Sequence, residues 1–327
     1  DKRFAYGVLS LKWIGARPSR ILFAFGAVTA FISGWISNTA TTAMMFAIGL
    51  SIIAFLFKHE EETGVKINRA YATAMMLITS FAASIGGLAT PIGTPPNVIG
   101  LGFIRRILEI EISFFKWMLI GAPIVVVLYI FLYLYLNYLA PAGVREIPGS
   151  SEMIRREKAE LGAWTRAQRS TVIAFAAAVI LWVFSGLIAL FAGETSEIYR
   201  VVSARVPEAV GAVVGACLLF LLPGNEPGEK AITWDEAVKI DWGVILLYGG
   251  GFALGVLSFQ TGLAEAVGRN LTELLPVSGG FGLLVASVFV AVLISETTSN
   301  TASANMVVPV VIAIAQSSGE DPFIPAL

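Results

Sequence analysis

Cysteine is almost missing from this chain; Cys217 is the single copy. That excludes an internal disulfide framework and any cysteine-based zinc site. Histidine is as scarce, and His59 alone leaves little room for histidine-dependent catalysis or a histidine-rich metal site. Charge is short as well. Only 14% of the 327 residues are Asp, Glu, Lys or Arg, against about 25% in a soluble domain. So few charges cannot coat a water-facing globule of this size. The 22 basic and 23 acidic residues nearly cancel, so no basic surface points to nucleic acid. What is abundant is apolar: 56% of the residues are hydrophobic and the mean hydropathy is +0.78. These numbers imply an all-α polytopic membrane protein. The chain begins at Asp1 with no basic-then-apolar leader, and we expect it to be a fragment cut at both ends.

Uncharged runs locate the membrane segments. They are Ile21–Phe57, Ala70–Ile104, Trp117–Val144, Ser170–Gly193, Ala209–Asn225, Trp242–Ala264, Leu274–Ser295 and Thr297–Gly319. A bilayer core takes roughly 20 apolar residues per helix. Ala209–Asn225 reaches that length if its start moves back to about Arg205. The first two runs are too long for one span and too short for two spans with a polar loop. Each is also interrupted at its middle. Ile21–Phe57 carries Ser37-Asn38-Thr39, and Ala70–Ile104 carries Thr90-Pro91-Ile92-Gly93-Thr94-Pro95-Pro96-Asn97. We therefore expect a re-entrant hairpin of two half-helices in the first run and a broken helix in the second. Non-helical backbone survives at membrane depth only inside protein or along a wet cavity. With that topology, 16 of the 22 lysines and arginines fall on one side, which the positive-inside rule makes cytoplasmic.

The chain also repeats itself. Val28–Met44 and Val290–Met306 align without a gap at an offset of 262 residues, with 8 of 17 positions identical. The shared core is Ile-Ser-x-x-x-Ser-Asn-Thr-Ala. The second copy would be the tip of another hairpin, Leu283–Ser317, entering from the opposite side. Inverted repeats with broken helices are a transporter pattern, with the site near the midplane where the elements meet.

The polar centres have a chemistry of their own. Ser, Asn and Thr are favoured helix N-caps, so each tip can cap the helix that leaves it. The positive end of that helix then points at the tip. Facing helix ends would hold an anion with dipoles and neutral donors. Carbonyls freed at the Pro95-Pro96 break, with the hydroxyls of Ser33 and Ser37, are hard oxygen ligands for a small cation. A lone Ser-Asn-Thr is ordinarily helix-packing glue, and Gly-Thr-Pro-Pro alone is as readily a structural kink. The matched pair of tips shifts the balance toward a site. No lysine or arginine sits near either tip, which favours a co-bound cation as the counter-charge. Glu296 is a membrane-embedded acid, either a cation field or a residue bonded to neighbouring hydroxyls.

Other features look plain. His59 lies in Lys58-His59-Glu60-Glu61-Glu62, read as a solvated face. Gly211-x-x-x-Gly215 and Gly249-Gly250-Gly251 suit close helix packing. Residues 145–168 read as an amphipathic surface helix. Trp13, Trp117, Trp164 and Trp242 stand where interface anchors stand. An enzyme is not expected. Two membrane carboxylates for aspartyl proteolysis, a base at depth for a serine type, and a G-x-x-x-x-G-K-[ST] phosphate loop are all missing from the sequence.

Two Ser-Asn-Thr tips separated by a Gly-Thr-Pro-Pro-Asn break resemble the divalent anion:sodium symporter family. The likeness runs over nearly the whole chain. It implies sodium-coupled symport of dicarboxylates such as succinate, malate and fumarate across a bacterial cytoplasmic membrane. It also implies a homodimer whose protomers have a scaffold and a mobile transport domain, working as an elevator. Sulfate or another divalent anion, or sodium-independent anion exchange, are the alternatives on the same fold. Carried over by motif, Ser33, Ser37, Asn38 and Gly93 would form a first sodium site. Ser295, Thr298 and Asn300 would form part of a second. Asn38, Thr39, Pro95, Asn300 and Thr301 would contact the substrate carboxylates. The expected layout is an interfacial segment over 1–20 and a first transport part over 21–140. That part holds a hairpin at 21–57, a broken helix at 70–104 and a helix at 117–139. A linker helix over 141–168, scaffold helices over 169–280 and a second transport part over 281–327 complete it. The family has a second Pro-Pro-Asn break that this sequence does not contain, so we expect an incomplete second site and no transport by the 327 residues alone.

Overall fold

The computed structural model describes residues 2–193, 195–263, 266 and 279–327. Among these the regular structure is helical. In chain order the helices are α1 (Lys2–Leu9), α2 (Pro18–Ser33), α3 (Asn38–Thr63), α4 (Arg69–Gly86), α5 (Pro95–Leu108), α6 (Phe114–Leu139), α7 (Ser150–Glu160), α8 (Arg166–Ala192), α9 (Glu197–Arg205) and α10 (Glu208–Leu221). Then follow α11 (Trp234–Ala237), α12 (Trp242–Gln260), α13 (Gly279–Thr297), α14 (Asn300–Ser317) and α15 (Phe323–Ala326). A short 3-10 turn, Gly87–Ala89, extends α4.

Local chemistry sets many of the helix starts. Pro18 opens α2, where a missing N–H costs nothing. Asn68 caps α4 at Ala70, and Thr165 with Gln168 forms a capping box on α8. Asp241 caps α12. Six of the described helices are long and apolar enough to cross a bilayer: α3, α4 with its extension, α6, α8, α12 and α13. The chain is an all-α polytopic membrane protein.

The chain divides into two compact units, Asp1–Thr94 with Phe114–Thr233, and Pro95–Ser113 with Trp234–Leu327. These borders differ from the scaffold and transport borders drawn above. In the first unit, α2 and α3 pack on α4 over a core that includes Phe25, Met45, Ile52, Tyr71, Met75 and Ile78, each 1% exposed or less. The backbones of α2 and α4 nearly touch. A Cβ on Gly86 would overlap the backbone of Ala30, and one on Gly26 would run into Ile78. Such small-residue contact replaces hydrophobic driving force between helices in lipid. The Tyr71 hydroxyl donates to the Pro18 carbonyl at 2.8 Å, tying the foot of α4 to that of α2. Helix α10 lies on α8 through Gly211 and Gly215, which face Trp182 and Ala178. That is the close packing expected of the Gly-x-x-x-Gly pair.

Helices α1 and α7 pack together outside the spans. Arg3 donates to the carbonyls of Gly162 (2.7 Å) and Ala163 (2.9 Å) just beyond the C-terminus of α7, and its guanidinium lies over Trp164. Tyr6 donates to Glu157 at 3.2 Å. Burial, then the neighbouring Glu157 charge, push the Tyr6 phenol up to about 12.

In the second unit, α12 and α5 exchange aromatic rings. Phe103 fills the space over Gly255, and Phe252 fills the space over Gly102, with ring centroids 5.1 Å apart. Gly251 of α12 takes the side chain of Asn305 from α14. This is the close approach expected of Gly249-Gly250-Gly251, although the other two glycines meet nothing within 4 Å.

Several expectations are corrected. The second arm of the first hairpin is longer than a half-helix. At 16 residues α2 is about 24 Å long, short of a bilayer core, while the 26 residues of α3 reach about 39 Å. Helix α3 continues past Phe57 to Thr63, held by an i,i+4 pair of Lys58 and Glu62 at 3.8 Å. The 1–20 segment already contains the first turn of α2, from Pro18. The span at Ala209–Asn225 gains length on its N-terminal side, but as a bent pair: α9 and α10 together are long and apolar enough to cross. Pro207 ends one helix and begins another, and α9 and α10 meet at 50°. His59 is half-buried against the ring of Phe55, at 6.1 Å, rather than on a solvated face. Residues 264, 265 and 267–278, part of the expected scaffold and of the run from Leu274, lie outside the described residues.

Candidate functional site

Both tips fold by the same local rule. At the first, α2 ends at Ser33 and α3 begins at Asn38. The Ser33 hydroxyl donates to Asn38 Oδ1 at 2.8 Å. Ser37 caps α3, accepting from the amide of Ala40 at 3.4 Å. At the second tip, the Ser295 hydroxyl donates to Asn300 Oδ1 at 2.6 Å, and Ser299 accepts from the amide of Ala302 at 3.1 Å. The cap carbonyls complete the match: Thr41 N–H donates to Ser37 O at 3.0 Å, and Ser303 N–H to Ser299 O at 2.9 Å.

This geometry decides which donors remain. The first amides of a helix have no intrahelical partner. At each tip the cap serine and its carbonyl take the third and fourth. The amides of Asn38 and Thr39, and of Asn300 and Thr301, are left at a positive helix end. They are suited to an anion. The hydroxyls and amide oxygens beside them are neutral, hard donors suited to a small cation.

The first tip is joined to the helix break. A Cβ on Gly87 would overlap Asn38 Oδ1, and one on Gly93 would lie 2.5 Å from the Gly87 carbonyl. The Thr90 hydroxyl donates to the Gly34 carbonyl and accepts from the Gly93 amide at 3.1 Å. Ser33, Ser37, Asn38 and Gly93 thus belong to one connected region of the first unit. Thr39 is exposed on the first turn of α3. Pro95 opens α5 in the second unit, where Asn97 is buried. Ser295, Thr298, Asn300 and Thr301 stand together at the second tip, half-buried to exposed. The Thr298 hydroxyl is turned back on its own helix, donating to Ile294 O at 2.8 Å. Glu296 is exposed in the last turn of α13.

Ser299, the counterpart of Ser37, caps its helix as the repeat led us to expect. Three contributors escaped the sequence reading. Gly87 makes room for Asn38, and the Gly86-Gly87 pair before the break was its only mark. Thr90 was read as part of the break, with no role. Trp117 is half-buried and its indole donates to Leu88 O at 2.9 Å, so it braces the break as well as standing near a segment end. Two carbonyls at helix ends, Gly34 and Leu88, are therefore already in use.

The whole chain, residues 1–327, matches the model of the sodium:sulfate symporter transmembrane region. The chain belongs to this family. It is 36% identical over 302 residues to the sodium-dependent dicarboxylate transporter SdcS of Staphylococcus saprophyticus, covering 91% of this chain and 56% of that protein. It is 33% identical over 326 residues to the protein of the same name from Staphylococcus aureus strain USA300, covering 98% of this chain and 61% of that one. The chain spans less than two thirds of the length of these relatives.

Proposed function

We propose that the full-length protein is a secondary transporter coupling sodium to the entry of a small dianion of the dicarboxylate type. The observation that carries this is the duplicated tip. The same serine-to-asparagine hydrogen bond precedes a serine-capped helix start at two places 262 residues apart. Each tip offers neutral oxygens to a cation and spare amides to a carboxylate, with no basic side chain in its sequence. Sodium entering with the substrate then supplies the missing positive charge. The names of the relatives support dicarboxylate as cargo and sodium as the co-transported ion.

The finer parts of this reading are ours too. Ser33, Ser37, Asn38 and Gly93 hold one sodium. Ser295, Thr298 and Asn300 contribute to a second. Asn38, Thr39, Pro95, Asn300 and Thr301 contact the carboxylates. The protein works as a homodimeric elevator in a bacterial cytoplasmic membrane, moving its tips against a scaffold.

The test is labelled succinate uptake into proteoliposomes holding the full-length protein, under inward gradients of sodium, potassium or protons. Uptake that needs sodium is the expected result. The family model is named for sulfate, and spare helix amides fit any dianion, so labelled sulfate is run in parallel. Sulfate uptake without succinate uptake would move the substrate class. Succinate uptake that ignores sodium would remove the coupling.

A further inference from the structure

Thr90 is not among the residues assigned above to ion or substrate, yet it is bonded to both segments that carry the first set. It is 1% exposed, and a hydroxyl so deep in a membrane unit is costly unless hydrogen-bonded. Its hydroxyl donates to a distant segment and accepts within its own turn. It donates to Gly34 O, 56 residues away and next to Ser33. It accepts the amide of Gly93, in the turn before Pro95. One hydroxyl therefore links the end of α2 to the broken helix.

We propose that Thr90 is a positioning residue for the first cation site. Its hydroxyl holds the Gly34 end of the tip and the Gly93 turn at one separation. Ser33 and Asn38 from the tip, and Gly93 from the break, are then presented as a single set. A small cation is bound well only by ligands held in place beforehand, because ordering them on binding costs affinity. Thr90→Val keeps the shape and removes the link. The Gly34 carbonyl then loses its partner, the Gly93 amide keeps only the Thr90 carbonyl at 3.3 Å, and the two halves of the site drift apart. The inference rests on the sodium-symport reading above.

The experiment titrates sodium against succinate uptake in the full-length protein, comparing wild type, Thr90→Val and Thr90→Ser, with lithium as a second ion. The valine variant should raise the sodium half-saturation on the order of fivefold to tenfold. Its succinate affinity at saturating sodium should stay within about twofold, because bound sodium holds the ligand set together again, including Asn38, which the two sites share. Its preference for sodium over lithium should shrink, which general loss of stability would not produce. Thr90→Ser keeps the hydroxyl and should follow wild type. Wild-type sodium dependence in Thr90→Val overturns the proposal. So does a serine variant that behaves like valine, because the methyl group would then be responsible. If Thr90→Val does not fold, Thr90→Ala, which leaves room for a water, takes its place with the same two outcomes. A wild type whose uptake ignores sodium overturns the symport reading, and the proposal with it.

Discussion

The two tips share a motif and differ in their loops. Four residues, 34–37, separate α2 from α3, whereas two residues, 298 and 299, separate α13 from α14. The residues between the conserved serines differ too. At the second tip Thr297 and Thr298 donate their hydroxyls back to Leu293 and Ile294 carbonyls, and α13 runs on to Thr297. The matching positions at the first tip are Trp35 and Ile36, which cannot make such bonds. Trp35 joins Phe114 and Phe175 instead, with ring centroids 6.2 and 5.7 Å away. Helix α2 stops at Ser33, and Gly34 turns its carbonyl to Thr90. The surroundings differ as well. Ser33 is fully buried, while Ser295 is half-buried and Asn300 exposed. One hydrogen-bond pattern can thus be built on two loops, the first of them clasped to a neighbouring break.

The largest effect should come from the shared asparagines. Asn38→Ala and Asn300→Ala each remove an acceptor and a proposed ion ligand. Sodium-dependent uptake should fall on the order of a hundredfold in both, the scale of a charge-assisted hydrogen bond. If one variant transports normally, the two tips are not equivalent in function. A smaller and one-sided effect is expected at Gly87. Gly87→Ala places a methyl group on Asn38, with a stability cost of about 1–3 kcal/mol for overpacking. Thermal unfolding should show it, and sodium should then stabilise the variant less than wild type. An unchanged sodium effect would mean that Asn38 can move without cost to the site. The caps should give the smallest change. Ser37→Ala and Ser299→Ala should each lose about 1 kcal/mol of stability, as for other N-caps. Equal losses in a denaturation series support the matched geometry. Only Ser37→Ala should also weaken sodium binding, because Ser37 is assigned to the first sodium site and Ser299 to none.

Much of the fold was legible because membrane segments are written in composition. The runs Trp117–Val144, Ser170–Gly193 and Trp242–Ala264 correspond closely to α6, α8 and α12. The break at Thr90–Thr94 was legible because two prolines follow it. What composition blurred were the ends. A run stops at its first charge, but a helix does not, so α3 passed through Lys58 to Thr63 unannounced. Pro207 bent α9 against α10 where a simple extension had been expected. At the site, the tip residues were legible from the repeat. Thr90 and Trp117 were not, because a threonine in a Pro-Gly-rich turn and a tryptophan near a segment end each have a commoner explanation.

By itself the sequence determined that this is a helical membrane protein with two copies of one polar tip. Those properties follow from residue counts and short spacings, which act through the bilayer and through neighbouring peptide groups. Only the tertiary structure decided what the first tip leans on. The close approaches at Gly86 and Gly87, the Thr90 link to Gly34 and the Trp117 link to Leu88 join residues about 30 to 60 positions apart. They depend on how α2, α4 and α6 pack, and no local spacing encodes a distance between helices.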